Sequence, residues 1–166
     1  MICKNLSVRA ADTEDVDLLW EFLAVAAYEP NGQAARQQPV VAAHLQNWPG
    51  AHDFGYIALR DGKLAGAAWV RQFSLNEQPS IYFNAQTPEL SIGVAEDARG
   101  NGVGSRLLTT ILAEAGRRQF DVCLTVRHTN PALRLYLRHG FERVPHLDVP
   151  NRTGGISYAM LWQCKS

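Results

Sequence analysis

Glu89-Leu90-Ser91-Ile92-Gly93-Val94, followed four residues later by Arg99-Gly100-Asn101-Gly102-Val103-Gly104-Ser105, is the stretch whose reading decides the fold. The first part is a short, mostly apolar run of strand length, and the second is a glycine loop. From Val103 to Arg118 the apolar residues Leu107, Leu108, Ile111, Leu112 and Ala115 recur at helical spacing, so the order is strand, loop, helix. A loop that opens a helix can aim its backbone N–H groups at an anion, where the helix dipole is positive. Glycines let the main chain turn tightly or approach an oxygen where a Cβ would obstruct it, and Arg99 adds a fixed positive charge. In outline this is a phosphate cradle.

The spacing separates the nucleotide readings. A mononucleotide P-loop needs a lysine followed by Ser or Thr after its last glycine, and here Gly104 is followed by Ser105-Arg106. A dinucleotide fingerprint counted from Gly102 and Gly104 needs a third glycine where Leu107 stands, and it belongs after the first strand rather than late in the chain.

Arg99-Gly100-Asn101-Gly102-Val103-Gly104 resembles the Q/R-x-x-G-x-G/A cofactor loop of the GNAT superfamily of N-acetyltransferases. A second family segment, Ala followed by Leu-Tyr and then Gly-Phe, is matched by Ala132, Leu135-Tyr136 and Gly140-Phe141. The resemblance implies a single domain over residues 1–166 with an α/β (α+β) fold, a mixed and mostly antiparallel central sheet of about six to seven strands flanked by about four helices. It implies acetyl-CoA as cofactor, held by Arg99, Gly100, Asn101, Gly102, Val103, Gly104 and Ser105, with main-chain groups of the strand at Ile92 and Val94 facing the pantetheine arm and the side chains of those two residues in the core. The family's asparagine stands seven residues before the tyrosine, where this chain has Thr129, while Asn130 stands six before; the cofactor contact is assigned to Asn130, with Thr129 as the alternative.

Outward from this centre, Leu6–Ala10 alternates like a strand, and Thr13 is placed to cap a helix whose buried stripe is Val16, Leu19, Trp20, Leu23 and Ala27. A polar stretch from Gln33 to Gln38 leads to a second helix over Val40 to Asn47. Residues 54–59 and 64–70 flank Asp61-Gly62 as a hairpin. Ser74 to Pro88 reads as loop or strand continuation without a decision between them, Val122 to Val126 is a strand, Pro131 to Arg138 a short helix stopped at Gly140, Phe141 to Val144 extended, and Ser157 to Trp162 the closing strand.

The chain has 166 residues, 46% of them hydrophobic, enough for one compact core. Its 16 Lys+Arg balance 16 Asp+Glu, so no overall field gathers nucleic acid or an anionic membrane. Cys3, Cys123 and Cys164 are odd in number and lack any CxxC pair, which argues against a disulfide framework or zinc knuckle, and no metal site is expected. With no apolar run of signal-peptide or membrane-helix length, the expectation is a soluble, cytoplasmic protein.

Attack on a thioester needs a neutral amine, yet an alkylamine with a pKa of about 10.4 is mostly protonated at neutral pH. Glu89 is the candidate base, its alternative being an acid that caps a strand end after Pro88. The resemblance places Tyr136 near the leaving sulfur as general acid, against a core aromatic packed with Leu133 and Phe141. The five histidines receive no role, and Arg134 and Arg138 read as a solvated helix face. The acceptor, a small-molecule or peptide amine, is expected to meet residues 29–39, 74–88 and 145–156, whose composition does not select its identity. A non-catalytic acyl-CoA-binding sensor is the alternative function, and edge pairing through the last strand a route to a homodimer.

Overall fold

The computed structural model describes residues 5–165, so Cys3 lies outside the described residues. Eight strands hydrogen-bond in the order β1-β2-β3-β4-β5-β8-β6, with β7 on β8; they are β1 (Leu6–Ala10), β2 (Phe54–Arg60), β3 (Lys63–Arg71), β4 (Glu89–Val94), β5 (Val122–Arg127), β6 (Glu142–Arg143), β7 (Val149–Pro150) and β8 (Ile156–Trp162). The helices are α1 (Val16–Ala26), α2 (Gly32–Gln37), α3 (Pro39–Ala42), α4 (Val103–Arg118) and α5 (Leu133–Arg138). The β4–β5 pair is parallel, while the β1–β2, β2–β3 and β5–β8 pairs are antiparallel. The described residues divide into two compact units, residues 5–71 with 91–111 and residues 72–90 with 112–165.

In the first unit, Asp61 and Gly62 take φ of 54° and 80°, the positive values of the expected β2–β3 hairpin turn. Helix α1 buries Leu19, Trp20, Phe22 and Leu23 with Ala24, joined by Ala35, Val41, Leu45, Trp48, Ile57 and Trp69. A fully buried leucine such as Leu19 contributes about 2 kcal/mol. The indole N–H of Trp69 donates to His44 O at 3.0 Å and that of Trp48 to Val70 O at 3.1 Å, so neither ring buries an unsatisfied donor.

Two local readings are corrected. Asp12, not Thr13, caps the turn before α1: its carboxylate accepts from the Glu14 N–H at 2.8 Å while Asp15 closes the capping box. A carboxylate is a stronger acceptor than a hydroxyl at the positive end of a helix. The single helix expected over Val40 to Asn47 is replaced by the short α3 and turn over residues 43–47, while the polar stretch before it is itself helical as α2, capped by Asn31 and followed by Pro39 at the start of α3. With Ala35 as its buried side chain, α2 carries no apolar stripe to betray it.

In the second unit, β8 pairs with β5 from Val122↔Trp162 to Arg127↔Ser157 on one side and with β6 and β7 on the other. The closing strand is therefore interior, and the route to a dimer through its edge is closed. Gly140, at φ 95°, stops α5, and Phe141 N–H returns to Tyr136 O at 3.1 Å. The undecided segment before β4 is loop with a single 3₁₀ turn at Leu75–Glu77.

Candidate active site

In the first unit the end of β4 passes into a 3₁₀ turn, Glu96–Ala98, and then into α4. The Asn101 side chain ties the loop to itself, its Nδ2 donating to Ala98 O at 3.1 Å and Arg99 O at 2.9 Å. Gly100 and Gly102 hold φ of 77° and 80°, and beyond their immediate chain neighbours no atom lies within 4 Å of where a Cβ on either would stand. Glycine is required here by conformation, and the space beside the backbone is open to a ligand. The Arg106 N–H to Gly102 O bond at 3.0 Å begins the α4 ladder, so the loop ends at the helix's positive end.

Arg99, Gly100, Asn101 and Gly102 are exposed, Gly104 and Ser105 half-buried. Val103 is 1% exposed, so its side chain anchors α4 in the core and only its backbone can face a ligand. The core placement expected for the Ile92 and Val94 side chains is corrected: both are half-buried, while the intervening Gly93 is buried. A Cβ on Gly93 would stand 2.3 Å from the Phe22 carbonyl oxygen, so α1 packs backbone-to-backbone on the strand. One on Gly66 would stand 2.8 Å from Gly93 O and 3.1 Å from Val103 Cγ1. Sequence reading passed over Gly66 and Gly93, although a glycine inside a strand is itself a signal of close approach.

The second unit carries Glu89, Asn130 and Tyr136. Asn130 Oδ1 accepts from the Ala132 N–H at 2.9 Å, and Leu133 N–H donates to Asn130 O at 3.1 Å, so this asparagine shapes the entry to α5; Thr129 is exposed. Tyr136 is 6% exposed and meets Phe141 edge-on at a centroid distance of 5.8 Å. Glu89 lies within the sheet, paired with Cys123, and is 3% exposed. Burial pushes its carboxyl up to about 8. A group with that value holds its proton at neutrality yet gives it up within reach of working pH, which suits proton transfer. Among the described residues no group of three or more His, Cys, Asp or Glu is placed to hold a metal ion, and no helix is long and apolar enough to cross a membrane.

The sequence matches the Acetyltransferase (GNAT) family over residues 17–141. The chain belongs to the GNAT acetyltransferase family. It is 33% identical over 113 residues to the Bacillus subtilis protein named "Putative phosphinothricin acetyltransferase YwnH", the match spanning 64% of this chain and 66% of that protein, just under two thirds of the relative's length. Among solved structures it is similar to the ribosomal-protein-S18-alanine N-acetyltransferase of Escherichia coli, with a TM-score of 0.69 and 19% identity over 98% of this chain and 96% of that one. It is also similar to yncA of Salmonella typhimurium, a structure with its cofactor acetyl-CoA, with a TM-score of 0.68 and 19% identity over 97% and 95% of the two chains. The structural likenesses establish the GNAT fold, and the family to which the chain belongs is one of acetyltransferases that use acetyl-CoA.

Proposed function

We propose that the protein transfers the acetyl group of acetyl-CoA to a primary amine by direct attack of the amine on the thioester in a ternary complex. The observation that carries this reading is the loop Arg99–Gly104, whose two positive-φ glycines leave open space beside a backbone that leads into a helix N-terminus. Its N–H groups and Arg99 hold the pyrophosphate, and the half-buried faces of Ile92 and Val94 line the pantetheine arm. Acetyl-CoA supplies the activated acyl group. Glu89 takes the proton that the amine must lose, directly or through water, and Tyr136 donates its phenolic proton to the departing sulfur, a step open to a phenol whose ordinary pKa is about 10. Asn130 or Thr129 completes the cofactor contacts.

Calorimetric titration with acetyl-CoA, followed by thiol release over a panel of primary amines at pH 7 to 8.5, tests the reading. The names of the relatives make phosphinothricin and an alanine-terminated peptide natural members of that panel. Micromolar binding with amine-dependent thiol release is the expected result. Binding with no release on any amine supports the sensor instead, and absence of binding overturns the assignment.

A further inference from the structure

The surroundings of Glu89 within the second unit identify a residue that the reaction itself does not name. Glu89 and Cys123 are partners in the parallel β4–β5 pair, so their side chains leave the same face of the sheet. The Cys123 N–H donates to Pro88 O at 3.0 Å, and its Sγ lies 3.6 Å from Pro88 O and 3.7 Å from Thr87 O. Thr87 is fixed in turn, its Oγ1 donating to Asn84 Oδ1 at 2.9 Å, while Gln72 Nε2 donates to Asn84 O at 3.1 Å. The turn that delivers the chain to Glu89 is thus held from β5 through one sulfur and from β3's continuation through one amide.

Ile81, Cys123 and Ala159 form a buried cluster, with Phe83, Leu147 and Leu161 against it. The ionisable groups of the packed elements are few. On β5 they are Cys123, whose thiol burial and the Glu89 charge push up, so that it stays neutral, and Arg127, on the same face at the far end of the strand. On the segment 72–88 they are Glu77, exposed and bonded to Ser74, and the half-buried Tyr82. On β8, Ala159 and Leu161 pair with Thr125 and Cys123, and Tyr158 pairs with Val126, whose side chain leaves the opposite face from Cys123.

We propose that Cys123 is a positioning residue for the Glu89 carboxyl: its thiol holds the strand entry at Thr87 and Pro88 and sets beside the carboxyl a small neutral group too weak a donor to stabilise its charged form. A serine in the same place offers a strong O–H donor, which favours the carboxylate. An alanine releases the two carbonyls. Neither enlarges the side chain, so both fit the space the thiol occupies.

The experiment follows the Glu89 carboxyl by carbon-13 NMR through a pH titration, with Glu89→Gln assigning the resonance, in wild type, Cys123→Ser and Cys123→Ala, and with Leu124→Val as a control on the opposite face of the same strand. Cys123→Ser is expected to lower the midpoint by about one pH unit or more, a tenfold loss of proton affinity. Leu124→Val is expected to lower the melting temperature and leave the midpoint in place. A midpoint unmoved by both cysteine variants overturns the proposal. Its kinetic consequence rests on Glu89 being the proton acceptor, and the pH profile of kcat separates the two: a limb that moves with the midpoint supports both, whereas a moved midpoint with an unmoved limb leaves Cys123 in its role and removes Glu89 from the reaction.

Discussion

Tyr136 shows how a packed side chain and a reacting one are told apart. Its ring is buried against Phe141, so a phenylalanine in its place keeps the ring, its burial and the edge-on contact, losing only the hydroxyl. If the phenol protonates the leaving sulfur, Tyr136→Phe lowers kcat by about 100-fold with KM for acetyl-CoA little changed, while the melting temperature stays within a degree or two. An unchanged kcat returns the residue to the core. Glu89 calls for a different readout, because burial places its carboxyl at about 8. Wild-type kcat is expected to rise with pH along a limb centred near that value, and Glu89→Gln to flatten the limb and lower the plateau by about 100-fold or more. A limb that survives in the glutamine variant belongs to another group.

The loop and the strand before it contain glycines needed for opposite reasons, and substitution separates them. Gly100→Ala forces a left-handed φ of 77° on a residue with a Cβ, in open space, at about 1–2 kcal/mol, so the fold survives and acetyl-CoA affinity falls about tenfold. Gly93→Ala brings a Cβ to 2.3 Å from the Phe22 carbonyl oxygen, so α1 or β4 must move, at about 3 kcal/mol of folding stability. Chemical denaturation of both, with calorimetry on the first, checks the contrast; equal stability losses contradict it. What the sequence made legible follows the same division. Strand, loop and α4 were readable because apolar period and glycine spacing are local, as was the hairpin at Asp61-Gly62. Helix α2 was not, because one buried alanine leaves no period to read, although Asn31 and Pro39 stand at its two ends. The burial of Glu89 was invisible because it follows from a sheet pairing with Cys123, which is distant in sequence.

At the scale of the whole molecule, the ionisable groups that folding perturbs do not pull in one direction. Asp15, held to about 2 by its hydrogen bonds from Arg9, and Glu114, held to about 2 by those from Arg117 and then Arg118, lend stability that is present above the ordinary values of 3.8 and 4.5 and is lost as pH falls toward 2. His44, its Nδ1 buried and its value pushed down to about 4 by burial and by Arg71, folds neutral. Its contribution is whole above 6.5 and is lost as pH falls from there to about 4. Glu89 runs the other way: the fold keeps a proton that the unfolded chain releases above 4.5, so its contribution is whole below 4.5 and is lost as pH rises to about 8. Between 4.5 and 6.5 the folded state therefore holds one proton more at Glu89 and one fewer at His44, and the two slopes cancel. From 6.5 to 8 Glu89 acts without that opposition and stability falls. The melting temperature is thus expected to be flat across mildly acid pH, to drop below about 4 as the carboxylates of Asp15 and Glu114 take up protons, and to decline from about 6.5 to 8 before levelling. Glu89→Gln removes the charge that burial disfavours, so the variant loses the alkaline decline and, with His44 now unopposed, loses stability from about 6.5 downward rather than staying flat across mildly acid pH. Differential scanning calorimetry of the two proteins from pH 3 to 9 decides it, since a decline shared equally by both cannot come from the Glu89 carboxyl.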